Sequence, residues 1–96
     1  MKLKVRENLD EPEVIALKAL TFLVSDEDRL SDFLALSGMD LQDLKEQATD
    51  INTLAGLLDH VLAHENLLVE FARSLSCRPE SIMYARHKLP GANNDA

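Results

Sequence analysis

The sequence holds one cysteine, no tryptophan, three phenylalanines and one tyrosine, with only three glycines and three prolines. Positive charge is scarce as well, ten lysines and arginines standing against 17 aspartates and glutamates. Each shortage excludes something. The lone Cys77 leaves no intrachain disulfide, and no apolar leader follows "MKLKVRENLD", so the expected compartment is the reducing cytoplasm. The isolated glycines Gly38, Gly56 and Gly91 make no phosphate-cradling loop. The longest apolar segment, Val14 to Val24, is 11 residues and contains Lys18, too short to cross a bilayer. A formal net charge of -7 repels phosphate backbones and anionic membranes at long range.

What is present is a leucine- and alanine-rich chain of 96 residues, enough for one small domain. Apolar residues recur at spacings of 3 and 4, and no segment alternates as a half-buried strand would. The expected fold is an all-α bundle of about six helices. Its first helix starts near "DEPE", capped by Asp10 with Pro12 in the first turn. The second follows Ser25 or Asp26, the third Asp40 and the fourth Asp50. A register shift near His64 begins a fifth, and Pro79 opens a sixth that ends before Pro90. Gly38 is the expected stop of the second helix. The boundaries are a flexible arm over 1–8, one helical domain over 9–90 and a disordered tail over 91–96.

Sliding the chain against itself by 38 residues places Leu20 on Leu58, Glu27 on Glu65, Leu30 on Leu68, Phe33 on Phe71 and Gly38 on Ser76. This predicts two copies of a three-helix unit, with the first and fourth helices packed together near a pseudo-twofold axis. Gly56, costly inside a helix, is expected to mark their close approach. The first helix is apolar on nearly every side, which fits a central position or an oligomer interface, and core is the more economical assignment.

The run "ALKALTFLVSDEDRLSDFLALSGMDLQDLKEQA", then "LAGLLDHVLAHENLLVEFA" and finally "RPESIMYARHKLPG" resembles a family of small bacterial proteins known only as a domain of unknown function. The resemblance covers roughly residues 12 to 91. It implies an all-helical cytosolic protein and brings no activity, cofactor or catalytic residue to carry over. The sequence departs from the pattern at Ser76 and Arg78, where a glycine and an acidic cap are expected, so the sixth helix lacks a good side-chain cap.

Candidate chemistry is thin. His60 and His64 are four apart on one helix, a spacing two imidazoles can use to share a metal, but two ligands alone make no site, and no metal or cofactor is expected. Cys77 beside Arg78 reads as a loop residue, with no neighbouring histidine to act as its base. No nucleophile, base and oxyanion donor come together in the pattern, so the expected protein is not an enzyme.

"FLALSGMDLQDL" has the outline of a DNA-binding helix-turn-helix, yet Asp43, Glu46 and Asp50 outnumber Lys45 where bases and phosphates would lie. Its echo "FARSLSCRPESI" leads into a more basic helix, and Arg73, Arg78, Arg86, His87 and Lys88 form a possible basic patch. The leading reading is therefore a non-enzymatic helical adaptor with an unidentified protein partner, or a homo-oligomer. Apolar residues that look surplus to the core, Leu36, Met39, Met83 and Tyr84, are the candidate contacts. A small nucleic-acid-associated regulator using the second corner is the alternative. Nucleic acid is an unfavoured partner on charge, and a membrane is not expected because the first helix lacks a basic polar face.

Overall fold

In the computed structural model, which describes residues 11–91, the chain forms six helices: α1 (Pro12–Val24), α2 (Glu27–Ser37), α3 (Leu41–Glu46), α4 (Ile51–Ala63), α5 (Glu65–Ser74) and α6 (Pro79–His87). The expected arm over 1–8, the Asp10 cap and all of the tail but Gly91 lie outside the described residues. No strand forms among the described residues.

Three aspartates set three of the starts. Asp26 accepts from the backbone N–H groups of Asp28 (2.9 Å) and Arg29 (3.2 Å), and Asp50 accepts from that of Thr53 (3.1 Å). Asp40 accepts from Asp43 N–H at 2.8 Å while the Asp43 carboxylate takes the Asp40 N–H at 3.3 Å, a reciprocal box that satisfies two otherwise orphaned donors. That box holds a helix of only six residues. Elsewhere proline does this work: α1 follows Glu11 and α6 follows Arg78, and neither side chain caps its helix, but each helix begins with a proline whose missing N–H needs no partner.

Helix ends are equally explicit. Gly38 stops α2 with φ 79°, its N–H bonded to the Leu34 carbonyl at 3.0 Å. At the corresponding corner after α5, Ser76 takes the same left-handed backbone with φ 56°. Its N–H reaches Arg73 O and the Cys77 N–H reaches Ala72 O, both at 3.0 Å, the paired bonds of a Schellman ending. Serine thus occupies a conformation that glycine would adopt without strain.

The core gathers Ile15, Ala16, Ala19 and Leu23 of α1, Phe33 of α2, Leu54, Leu57, Leu58 and Val61 of α4, Phe71 of α5 and Ile82 of α6, with Leu44 as the one buried residue of α3. As expected, α1 and α4 pack together; α1 also meets α2 and α6, and α4 meets α5 and α6. Gly56 plays no part in the α1 and α4 approach. A Cβ built there meets nothing within 4 Å, because Gly56 faces away from the packed side of α4.

The second correction concerns α1. Val14, Leu17 and Val24 remain 36%, 40% and 45% exposed, so the outer side of this apolar helix is not covered by the rest of the described chain. Packing against α4, α2 and α6 places the helix by its other side.

Candidate functional site

Among the concave surfaces that the described residues form, three differ in chemistry. The first is a cleft of about 610 Å³ at the corner of α4 and α5, facing α2 and lined by Arg29, Asp32, Leu36, His60, His64 and Glu70 among others. The two histidines do not share one helix as expected, since α4 ends at Ala63 and His64 has extended backbone at the joint, yet their rings lie 4.6 Å apart. His64 Nδ1 is 2.8 Å from the His60 carbonyl, which can only accept, so that nitrogen carries a proton and donates. The His60 ring meets the edge of Phe33 at 5.2 Å. Burial pushes its pKa below the ordinary value of 6.5 and the neighbouring His64 pushes the same way, while Asp32 acts in the opposite sense. Among the described residues no group of three or more metal-ligating side chains assembles here or elsewhere.

Arg29 closes one end of this cleft. Its guanidinium lies 4.0 Å over the Phe22 ring and binds Glu70 at 2.8 Å, joining α1, α2 and α5 through one side chain. Phe22 in turn packs on Phe71 at 5.1 Å between centroids.

The second cleft, about 400 Å³, lies between α4, α5 and α6 and includes Asp59, Leu62, Leu68, Met83, Arg86 and His87. Arg86 grips Asp59 with two bonds, Nε to Oδ1 at 2.7 Å and Nη2 to Oδ2 at 3.1 Å. Its Nη1 also reaches the carbonyls of Pro90 (3.0 Å) and Leu89 (3.4 Å). With a side chain only 13% exposed, this arginine ties Leu89 and Pro90 to α4.

The third is an apolar groove of about 370 Å³ formed by Leu20, Thr21 and Val24 of α1, Leu30 of α2, Leu41, Leu44 and Lys45 of α3, and Ala48 beyond it. Leu41 is 43% exposed at its edge, and Lys45 is the single charged residue of the lining. The groove escaped sequence reasoning because its leucines are spread over three helices and each reads singly as core.

The residues singled out from the sequence scatter over these surfaces. Leu36, 66% exposed, lines the histidine cleft, whereas Met83 (54%) and Tyr84 (60%) stand on α6. Met39 is half-buried and packs against the core, so it offers less surface than its place in the corner suggests. Of the basic set, Arg73, Arg78, His87 and Lys88 are exposed, and the Lys88 ammonium lies 5.1 Å over the Tyr84 ring. Arg86 departs from that set, since its guanidinium is committed to Asp59 and to two carbonyls. Cys77 is half-buried between α5 and α6. No helix among the described residues is long and apolar enough to cross a membrane.

No curated protein and no solved structure matches the chain. A family model does, over residues 9–92, the whole of the helical domain just described. The chain belongs to that family, whose description reads protein of unknown function (DUF3572).

Proposed function

We propose that the protein is a non-enzymatic, cytoplasmic interaction module that docks an amphipathic helix of a protein partner into the groove between α1, α2 and α3. The observation that carries this reading is the groove itself. Leucines from three helices converge there without closing over one another, and a single cation stands at the rim. An apolar channel of this kind accepts side chains spaced three and four apart on a guest helix, and Lys45 selects a guest with a carboxylate beside them. The histidine cleft supports a small-substrate reading less, since no serine, threonine or cysteine stands among its described lining residues. The two-copy organisation belongs to the same reading and is supported by the left-handed residues Gly38 and Ser76 at matching corners.

The test uses the tagged full chain purified from its native cell beside two variants. Leu41→Glu puts a charge at the groove edge without touching the core, and Arg73→Ala alters the exposed end of α5. A protein held by the native chain and by Arg73→Ala but lost from Leu41→Glu is the expected result. Nucleic acid that co-purifies and is lost with Arg78→Ala or Lys88→Ala would transfer the function to α6.

A further inference from the structure

The groove does not stop at its own rim. Val14, Leu17, Thr21 and Val24 are all exposed, and their spacings of 3, 4 and 3 keep them on one stripe of α1. Thr21 and Val24, at the end of this stripe, also line the groove, where leucines of α2 and α3 continue the apolar surface. Leu17 lies one turn before Thr21, and Val14 about one turn before Leu17, so the stripe extends the groove by roughly 10 Å toward the start of α1. The buried Ile15, Ala16, Ala19 and Leu23 keep to the other side of the helix. A guest confined to the groove leaves Val14 and Leu17 in water at its edge. One that runs on along α1 covers them with no repacking of the domain.

The two ends of this continuous surface carry opposite charge. Lys45 stands at the groove end, exposed and in no ion pair among the described residues. Glu11 and Glu13 stand at the other end, exposed, and their carboxylates are likewise in no ion pair among the described residues. Lys18, beside Leu17, already has an interaction within the chain. The charges left to a guest are therefore positive at one end and negative at the other. A guest charged in the opposite order is attracted at both ends, whereas one charged alike at both ends meets its own sign at one of them. A second copy of α1 lacks the required order, since it has Glu13 in its first turn and no base in its last.

We infer that the guest is an amphipathic helix longer than the groove, lying along α1 over Val24, Thr21, Leu17 and Val14, with a carboxylate beside Lys45 and a lysine or arginine beside Glu11 and Glu13. The inference rests on the groove as the docking site and adds the length and the charge order of what docks there. Leu17 does not line the groove and Leu41 is not on the stripe, so the two readings fail separately.

The experiment titrates the full chain with three synthetic helical peptides of about 18 residues, leucines spaced three and four apart. One carries glutamates at one end and lysines at the other, the second glutamates at both ends and the third lysines at both. The first is expected to bind at least roughly tenfold more tightly than either of the others, a comparison that needs no variant. Leu17→Glu, at an exposed position, should weaken it by roughly tenfold. Glu11→Lys together with Glu13→Lys should shift the preference to the peptide with glutamates at both ends. Circular dichroism confirms that each variant keeps its helices. Binding that is lost with Leu41→Glu but indifferent to Leu17→Glu leaves the groove reading in place and overturns this one. Equal binding of the three peptides overturns the charge order, and no binding by any of them up to about 1 mM overturns the inference. So does a chain that dimerises alone and is made monomeric by Leu17→Glu, which would give the stripe to a second copy.

Discussion

At the scale of single residues, two backbone positions make opposite demands on the side chain they carry. Ser76 sits at φ 56°, where an L-residue is strained and glycine is not. Ser76→Gly is expected to raise stability by up to about 1 kcal/mol, read as a shift of the urea midpoint. Gly56 is the mirror case, a glycine inside α4 whose added Cβ would meet nothing within 4 Å. Gly56→Ala should stabilise by about 1 kcal/mol through helix propensity alone. Loss of stability on that change would restore the close approach that the sequence suggested.

His60 is a third such residue. Its folded pKa lies below the unfolded value of 6.5, chiefly from burial and then from His64. As pH falls from 7 through 6.5 the unfolded chain takes up the proton first, so stability declines and goes on declining until the folded pKa is passed. Above 6.5 the full contribution is present. His60→Gln is expected to flatten this part of the pH dependence of the melting temperature, and an unchanged slope would assign it to other groups.

At the scale of helices, much was legible. Asp40 and Asp50 read as caps and act as caps, of Ser25 and Asp26 it is Asp26 that caps α2, Gly38 reads as a stop and has the left-handed φ of one, and Pro79 opens α6 as its type and position suggest. These signals are local: a carboxylate two or three residues before a free N–H, or a residue that tolerates one backbone conformation. What could not be read depends on several helices at once. The exposed side of α1 has nearly the composition of its buried side, so no contrast in the sequence tells them apart. Arg86 looks like a free cation in a basic run until Asp59, 27 positions earlier, is placed beside it. The capping box of α3 supplies a direct check. Removing it by Asp40→Ala should cost about 1 kcal/mol and selectively raise amide exchange across Leu41–Glu46, since a six-residue helix has little else to hold its first turn.

At the scale of the whole molecule, charge and connection decide behaviour. With a net charge of -7 and Arg86 occupied by Asp59, the remaining exposed cations of α5 and α6 are set against an acidic body. Mixing the chain with duplex DNA at about 50 mM salt, where phosphate contacts are strongest, is expected to give no shifted band. A complex that weakens steeply with added salt would revive the regulator reading.

The joint at His64 has a further consequence, for how the chain can change in length over its descent. His64 alone separates α4 from α5, closing one helix and opening the next with φ -125°. Its ring N–H is tied back to the His60 carbonyl. One residue inserted there would double the length of the joint and shift α5 from the placement that buries Phe71. Related chains should therefore keep this joint at fixed length and gather their insertions between α3 and α4, where residues 47–50 cross the surface with room to grow.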